Sequence, residues 1–560
     1  MIPVSKTLET DIAVVGGGIG GLCAAIAAAE GGARVTVLEK ANTKRSGSGA
    51  TGNDHFACYY PKQHGGDIRP ILRELLDSLV GLCHDPLLSL RFLERSISIV
   101  DKWHEWGINM KPFAEDYVFM GHAYPDRPRI WLKYDGHNQK EALTRQAKKV
   151  GVTIVNHHPA VDLMRDEQGI TGVLALDVSG ETPSFTFVKA RKVILATGTA
   201  NRLYPAAGSP GWPFNTAFCP ACAGAAQAQG WRIGAKLVNM ELPNRHAGPK
   251  FFARAGKSTW IGVYRYPDGK LLGPFVDKAT REVGDITCDV WNSAYTDVLM
   301  NGTGPAYIDC TGTGPEDMAF MREGMASEGL TGLLNYMDEK GIDPSKHAVE
   351  FMQYEPHLIG RGLEIDIDGQ TSVPGLYATG DMVGNFRADI AGAAVYGWIA
   401  GEHAAAHLGD GPLADIENTP WAQERMAYYS RFMERPSGAH WKEANLALQQ
   451  IMADYAAGPH RVRSATLLNA GLKYLADLRR NAEAEIAASD AHTLLRAIET
   501  LDLIDNGEIV MHGALERKES RGMHQRSDFT FTNPLLSDKF LTLRKEQGRI
   551  IPEWRQRWTA

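Results

Sequence analysis

The chain has 560 residues, more than one hydrophobic core usually supports, so two to four structural units are expected. Its composition is that of a soluble globular protein, and a formal charge of -7 argues against nucleic acid as the main partner. Seven cysteines, an odd number, indicate a reducing compartment rather than a disulfide framework. The first ten residues lack the features of a signal peptide, and no apolar run approaches the ~20 residues of a membrane helix. We therefore predict a cytoplasmic location with no direct membrane insertion.

The first predicted elements form a βαβ unit. A buried strand over residues 11–15 runs into the glycine-rich turn 16–21, an alanine-rich helix covers 22–30, and a second strand covers 34–38. The turn contains G-x-G-x-x-G, whose glycines allow a tight turn, close approach of a pyrophosphate and close packing of the helix. An acid at the end of the second strand is placed to accept hydrogen bonds from adenosine ribose hydroxyls. The residues that we predict for this dinucleotide site are Gly16, Gly18, Ile19, Gly20, Gly21, Glu39 and Lys40.

Two later strands favour FAD over NAD as the dinucleotide. The strand that begins at Lys192 ends in Ala196, Thr197 and Gly198, and the strand that begins at Gly375 ends in Asp381. These segments resemble the Ala-Thr-Gly and Gly-Asp segments of flavoproteins with two dinucleotide-binding folds. In those families the aspartate binds the ribitol hydroxyls.

A charge-dense segment near the C-terminus makes the resemblance specific. Residues 517–528 read R-K-E-S-R-G-M-H-Q-R-S-D. This resembles the R-x-E-S-R-G-x-H-x-R-x-D segment of the succinate dehydrogenase/fumarate reductase flavoprotein superfamily, where its role is mainly architectural. The resemblance covers nearly the whole chain in the family's order. The stretches 103–161 and 260–266 look closest to the adenylylsulfate reductase alpha subunit.

The resemblance implies an α/β fold with a Rossmann-like FAD domain of the two-dinucleotide-binding type. This domain is expected at residues 1–245 and 350–415, with an inserted α+β capping domain at 246–349. Apolar residues at helical spacing, among them Leu446, Leu448 and Met452, predict a helical domain at 416–526. Residues 527–560 are expected to be a polar tail that wraps the body or contacts a partner.

The implied activity is that of an FAD-dependent oxidoreductase that transfers hydride or electrons between flavin N5 and a small anionic substrate. Covalently flavinylated relatives carry a histidine two residues after the arginine that matches Arg45, and Gly47 stands at that position, so noncovalent FAD is expected. Four residues of the loops after the second strand are added to the predicted cofactor site: Ser46, Gly47, Gly52 and Asn53.

Cationic and histidine side chains near the capping domain are the candidate catalytic residues. By the resemblance, His246 and His357 match two substrate-binding histidines of fumarate reductases. Arg387 occupies the place of an active-site histidine of adenylylsulfate reductases, and it is suited to clamp a carboxylate or oxyanion. Arg245 adds positive charge beside His246, as do Lys250 and Arg254.

At two positions the sequence differs from the active-site patterns of these relatives, and the differences argue against the relatives' own substrates. Fumarate reductases use an arginine in a G-P-R-D segment as proton donor, whereas the nearest equivalent, Gly284-Asp285, offers none, although Arg281 is close. Adenylylsulfate reductases place an asparagine where this chain has Ala57. We therefore favour a related enzyme with another small anion as substrate. The alternatives are a non-catalytic electron-transfer subunit and an adenylylsulfate reductase alpha subunit.

Cys219-Pro220-Ala221-Cys222 is a single C-x-x-C. Zinc and iron–sulfur clusters need more ligands than one pair supplies, so we predict a structural role and no metal site. The resemblance implies that electrons come from an iron–sulfur partner subunit or a diffusible donor. The resemblance is also compatible with an oligomer of this chain.

Overall fold

A computed structural model describes residues 1–78, 82–120, 127–206, 214, 216–250, 260–273, 276–281, 283, 295, 298, 301–457 and 462–560. Arg254 and Gly284-Asp285, two of the sequence candidates, lie outside these residues.

The strands of the described chain belong to three larger sheets and one short pair. They are β1 (Val4–Val15), β2 (Val35–Glu39), β3 (His55–Ala57), β4 (Trp131–Lys133), β5 (Thr153–Asn156), β6 (Ala160–Arg165), β7 (Ile170–Asp177), β8 (Ser184–Leu195), β9 (Leu237–Val238), β10 (Ala247–Pro249), β11 (Val263–Arg265), β12 (Ala306–Asp309), β13 (Val349–Gln353), β14 (Gly362–Leu363), β15 (Leu376–Ala378), β16 (Lys539–Glu546) and β17 (Arg549–Gln556).

Helices cover the sheets and build the C-terminal part. They are α1 (Ile19–Glu30), α2 (Pro61–His64), α3 (Arg69–Asp77), α4 (Pro86–Glu105), α5 (Gln139–Lys149), α6 (Ala225–Arg232), α7 (Pro315–Ser327), α8 (Thr331–Lys340), α9 (Asp389–Ala406), α10 (Pro420–Glu434), α11 (Trp441–Ile451), a π-helical turn (Met452–Ala457), α12 (Ala465–Glu485), α13 (Ala491–Glu516) and a 3₁₀ turn (Pro534–Leu536). Within the described residues, none of these helices is both long and apolar enough to cross a membrane.

The central sheet places the glycine-rich turn beside a second strand end. Its parallel part has the order β5-β2-β1-β8-β15, and β7 and β6 extend it antiparallel from the other half of β8. The core strands are apolar and buried on both faces, as the successive residues Ile12, Ala13 and Val14 show with no exposed surface. The strand order reverses between β1 and β8, whose last residues Val15 and Leu195 are paired. In open α/β sheets, ligands bind at such a reversal, outside the carboxyl ends of the strands.

The insertion after β9 has a sheet and a core of its own. Its strands pair antiparallel in the order β10-β13-β12-β11, and α7 and α8 cover them. The buried residues of this core include Trp260, Tyr264, Met321 and Met325. The insertion touches the central domain at the end of α7, where the Thr51 hydroxyl donates to the Glu328 carbonyl at 3.1 Å. The insertion is thus in contact with the loop that follows β2.

The C-terminal helices pack on the central sheet through α13. This helix of 26 residues is largely buried, and its Asn506 amide donates to the Gly224 carbonyl at the start of α6 (3.0 Å). In α11 and the π-helical turn, Leu448 and Met452 are fully buried, but Leu446 is 38% exposed. The apolar spacing therefore predicted the helix correctly, although Leu446 does not contribute to its buried face.

Residues 539–556 form the hairpin β16–β17, and β16 pairs with β9 to complete a four-stranded sheet. The expected polar tail is therefore largely a sheet element that packs on the body. Phe540, Leu541 and Leu543 of β16 are buried, and the Arg555 guanidinium pairs with the Asp85 carboxylate at 2.7 Å. Because successive residues of β16 are buried, its sequence does not alternate between apolar and polar residues, and the strand was not predicted.

Candidate active site

A cavity of about 830 Å³ lies at the carboxyl ends of β1, β8 and β15. This volume is within the range of small-molecule and cofactor sites. At one end it is lined by the glycine-rich turn, and at the other by residues of the insertion and by Arg387.

Nearly all residues predicted to bind the dinucleotide line this cavity. They are Gly16, Gly18, Ile19, Gly20, Glu39, Lys40, Ser46, Gly47, Gly52, Asn53, Ala196, Thr197, Gly198 and Asp381. Gly21 lies behind the turn instead. A Cβ on Gly21 would stand 1.9 Å from the Gly16 carbonyl oxygen, so its role is to let α1 pack on the end of β1.

The turn itself is set by Gly16, which has a φ of 101°. A Cβ there would lie 2.4 Å from the Ala196 carbonyl oxygen, because β1 and β8 end side by side. The Glu39 carboxylate accepts from the backbone N–H groups of Gly17 and Ala41, both at 2.7 Å. These bonds hold the acid against the turn.

Several polar groups that line the cavity are suited to a polar ligand. The buried hydroxyls of Ser46 and Ser48 have no hydrogen-bond partner among the described residues. Burial raises the pKa of the Asp381 carboxyl to about 6. Unsatisfied buried hydroxyls carry a free-energy penalty that the phosphates and hydroxyls of a dinucleotide would relieve.

The two predicted histidines meet at the base of the insertion. Asn244 and His357 exchange backbone hydrogen bonds of 3.0 Å, and this pairing joins the segment that enters the insertion to the one that leaves it. The rings of His246 and His357 therefore stack, with centroids 5.3 Å apart and planes 11° from parallel. The Phe218 ring contacts both.

His246 lines the cavity, but His357 and Arg245 do not. His357 lies behind His246 and is only 1% exposed. Its role in substrate binding, inferred from the resemblance, stays a prediction. Burial, with nearby Arg387, holds the pKa of His357 well below the usual value, and the ring is neutral. The paired segments at Asn244 and His357 form the hinge of the insertion. Arg245 is buried beside this hinge, where Nη1 donates to the Tyr354 carbonyl at 3.5 Å.

Two other cations considered from the sequence, Lys250 and Arg281, are engaged in ion pairs. Lys250 pairs with Glu350 at 2.6 Å, and Arg281 pairs with Glu316 at 3.0 Å in the insertion. Neither lines the cavity.

Arg387 is the best-anchored cation at this end of the cavity. Its Nε and Nη2 donate to one oxygen of Asp389 at 2.8 and 2.6 Å, and Nη2 lies 3.0 Å from Nε2 of His246. Its backbone N–H donates to Nε2 of His84. The remaining nitrogen, Nη1, is buried and has no hydrogen-bond partner within the described part of the chain.

Asp389 holds Arg387 from a strained position at the start of α9. Its φ of 46° lies in the left-handed region, which costs free energy for a residue with a side chain. Burial opposes the charge of this carboxylate, but Arg387 outweighs it and lowers the pKa of Asp389. The carboxylate is therefore ionised beside the guanidinium.

A second polar cluster lines the same end of the cavity and was not predicted as catalytic. Nδ1 of His55 lies 2.5 Å from an Asp54 oxygen, whose other oxygen accepts from Lys133 at 2.7 Å. Glu328 of the insertion lies 3.7 Å from the same His55 nitrogen. Burial disfavours the His55 charge, yet the Asp54 carboxylate outweighs it and raises the pKa of His55. The signal in the sequence was a pair of titratable residues, Asp54 and His55, directly after the predicted cofactor residues Gly52 and Asn53.

Cys219 and Cys222, which were predicted to be structural, also line the cavity. They form a tight turn in which the Cys222 N–H donates to the Cys219 carbonyl at 3.0 Å.

The family described as FAD binding domain matches residues 11–393, and the fumarate reductase flavoprotein C-terminal family matches residues 445–546. The chain belongs to the succinate dehydrogenase/fumarate reductase flavoprotein superfamily. As a member of this superfamily, it is an FAD-dependent oxidoreductase.

Two fumarate reductase relatives align with the chain over most of their length. The chain is 23% identical to a subunit of the fumarate reductase (CoM/CoB) of Methanothermobacter marburgensis, over 98% of this chain and 99% of that protein. It is 24% identical to the fumarate reductase flavoprotein subunit of Escherichia coli, over 93% and 89% of the two chains. Among solved structures, adenylylsulfate reductase of Archaeoglobus fulgidus superposes with a TM-score of 0.83 at 21% identity, covering 100% of this chain and 97% of that one. This likeness shows a shared fold.

Proposed function

We propose that this flavoprotein transfers hydride between FAD and a small anion bound beside Arg387, His246 and His55. The observation that carries the proposal is the buried Nη1 of Arg387, whose two hydrogens have no acceptor among the described residues. A guanidinium donor left unsatisfied in a buried site is costly, and a carboxylate or sulfur oxyanion would supply both an acceptor and the opposite charge.

FAD would be held by the glycine-rich turn and Glu39 at its adenosine end, by Ser46 and Ser48 near its centre, and by Asp381 at its ribityl chain. Bound FAD supplies the ring that accepts or donates the hydride. The chain's own residues must bind the anion over that ring, orient it and handle a proton.

Arg387 is oriented for this task by two neighbours. A guanidinium only donates, so Nε2 of His246 is the acceptor in this contact. Asp389 accepts from two other N–H groups on the same side. Nη1 is thereby left for the ligand. His357 supports this arrangement by stacking behind His246, as a positioning residue.

His55 is the group we assign to proton transfer. It lines the cavity, Asp54 fixes the proton on Nδ1, and Nε2 is the remaining nitrogen. The raised pKa keeps this imidazolium protonated at higher pH than a free histidine. Protonated His55 would give a proton to the substrate when it is reduced, or take one in the reverse direction.

The test begins with the visible spectrum of the purified protein, which reports bound flavin. The flavin is then reduced anaerobically with dithionite, and unsaturated acids, other carboxylates and sulfur oxyanions are screened for reoxidation. Arg387→Ala should lower kcat/KM by about 2–4 kcal/mol of transition-state binding. Arg265→Ala is the matched control, because Arg265 pairs with Asp309 in the insertion and does not line the cavity.

The outcomes separate the alternatives. Reduction of the flavin by sulfite with AMP would instead indicate an adenylylsulfate reductase. Yellow protein that no carboxylate or oxyanion reoxidises, and whose electron exchange is unchanged in Arg387→Ala, would indicate an electron-transfer subunit.

We propose further that the protein works in the cytoplasm with an iron–sulfur partner or a diffusible donor. The six cysteines of the described residues are free thiols, which fits a reducing compartment. The E. coli relative is itself named a flavoprotein subunit, which supports the partner. Co-purification of a tagged chain, followed by iron analysis, tests this part.

A further inference from the structure

We propose that Cys219 and Cys222 form a redox-active dithiol that exchanges an electron pair with FAD bound in the same cavity. The dithiol requires the bound cofactor of the proposed function but not the identity of its anionic substrate. The sequence alone predicted a structural role for this C-x-x-C motif, and the proposed redox role differs from that prediction.

The backbone brings the two cysteines within reach of a disulfide. The Cys222 N–H donates to the Cys219 carbonyl at 3.0 Å, which is the hydrogen bond of a β-turn, with Pro220 and Ala221 at its centre. A β-turn keeps its first and last Cα atoms within about 7 Å, and disulfides join Cα atoms about 4.4–6.8 Å apart. Asn201 fixes both ends of the turn, since its side chain donates to the Cys219 carbonyl (2.7 Å) and its N–H to the Cys222 carbonyl (2.8 Å).

The turn lies between the two ends of the cavity. Cys222 packs on the Ala-Thr-Gly turn, where a Cβ on Gly198 would be 3.0 Å from the Cys222 sulfur. At the other end, Cys219 directly follows Phe218, whose ring contacts His246 and His357. Both cysteines line the cavity, and Asp381 acts on Cys222 electrostatically.

The surroundings divide the roles of the two sulfurs. The Cys222 thiol donates a hydrogen bond to the Cys219 sulfur, and with Lys40 it lowers the pKa of Cys219 to about 6. The same hydrogen bond and complete burial raise the pKa of Cys222 well above its usual value. Lys140 and Arg202 add positive charge near Cys222, and Asp381 adds negative charge. Cys219 is half-buried and Cys222 buried, so the pair is a thiolate beside a thiol at neutral pH.

The redox step balances without a further reactant. Formation of the S–S bond from the Cys219 thiolate and the Cys222 thiol releases two electrons and one proton. Two-electron reduction of FAD to its anionic reduced form takes up two electrons and one proton. The reverse step reduces the disulfide, so the dithiol can hold an electron pair while the flavin reacts.

The test is made on the yellow holoprotein, whose visible absorbance gives the FAD content of every sample. The protein is equilibrated anaerobically with glutathione buffers of increasing oxidised fraction, acid-quenched, unfolded and labelled with a maleimide. We expect two labels to be lost together in the wild type, and peptide mapping to place both in the 219–222 turn. Dithionite titration of the oxidised protein should require a second electron pair per FAD.

Cys219→Ser and Cys222→Ser should each abolish the paired loss and the second electron pair, whereas Cys310→Ala, in the core of the insertion, should retain both. If a serine variant does not fold, the wild-type titration still decides. Yellow wild-type protein that keeps all its thiols at every glutathione ratio, or takes up one electron pair only, overturns the dithiol. Colourless, folded protein would instead contradict FAD binding, and the proposal with it.

Discussion

The imidazole of His357 lies flat against that of His246, with ring centroids 5.3 Å apart, and of the two rings His246 lines the cavity. His246 in turn contacts Nη2 of Arg387. A chain of contacts thus runs from the buried hinge of the insertion to the cation that we propose binds the substrate.

This relationship predicts that the two histidines act as a unit. His246→Ala should lower kcat/KM directly, and His357→Ala should lower it by allowing the His246 ring to turn. The effects should not add, and a double-mutant cycle on kcat/KM should give a coupling energy of about 0.5–3 kcal/mol. His357→Phe keeps a flat ring at this position and should restore part of the loss. Fully additive effects would contradict the positioning role.

The glycine-rich turn predicts a separation between folding and cofactor binding. Gly16→Ala places a Cβ 2.4 Å from the Ala196 carbonyl in a backbone conformation with positive φ, so we expect about 1–3 kcal/mol of lost stability even without FAD. A Cβ on Gly18 meets only the same oxygen, at 3.9 Å. Gly18→Ala should therefore leave the apoprotein stable and weaken FAD binding, because the methyl group occupies the approach of the pyrophosphate.

Thermal unfolding of the apoproteins and FAD binding followed by flavin fluorescence measure the two effects. Equal loss of apoprotein stability in both variants would show that Gly18 serves the turn and not the ligand.

His55 predicts the pH dependence of turnover. Since Asp54 raises its pKa, the rate of substrate reduction should be maintained above the usual histidine range and fall as the pH rises through the pKa of His55. Glu328→Gln removes a nearby negative charge and should move this basic limb to lower pH by about one unit. Lys133→Met removes a positive charge and should move it to higher pH. Profiles of kcat/KM against pH measure both shifts, and displacement of both in one direction would exclude His55 as the titrating group.

Local patterns were sufficient to predict the parts of the site that one segment forms. The glycine-rich turn and its flanking strands are consecutive in the chain, so the position of Gly16, Gly18 and Glu39 around one cavity followed from their spacing. The family resemblance identified His246 and Arg387 as candidate catalytic residues, and both line that cavity. It also suggested His357, but it could not show that one ring would cover the other.

The remaining features depend on contacts between distant segments. The charges around Asp54 and His55 come from Lys133 on a neighbouring strand and from Glu328 of the insertion. Cys219 and Cys222 lie beside the proposed cofactor site only because their turn packs on Gly198, which is distant in sequence. Charges and hydrogen bonds of neighbouring groups act against burial here, and they raise the pKa of His55 and lower that of Cys219.

In the charge-dense segment 517–528 the side chains of Arg517, Glu519, His524 and Arg526 are buried, and their ion pairs predict a large stability effect. Arg517 is 1% exposed and pairs at 2.7 Å with both Glu241, just before the hinge, and Glu519. Arg517→Met keeps most of the apolar volume but leaves the buried Glu241 carboxylate without its cation, which should cost about 3–5 kcal/mol of unfolding free energy. The matched control is Arg544→Met, because Arg544 pairs with Glu546 at the solvent-exposed end of β16, where such pairs contribute about 0–1 kcal/mol. Urea unfolding of the two variants measures the difference, and a loss for Arg517→Met no larger than that of the control would mean that the network adds little to the fold.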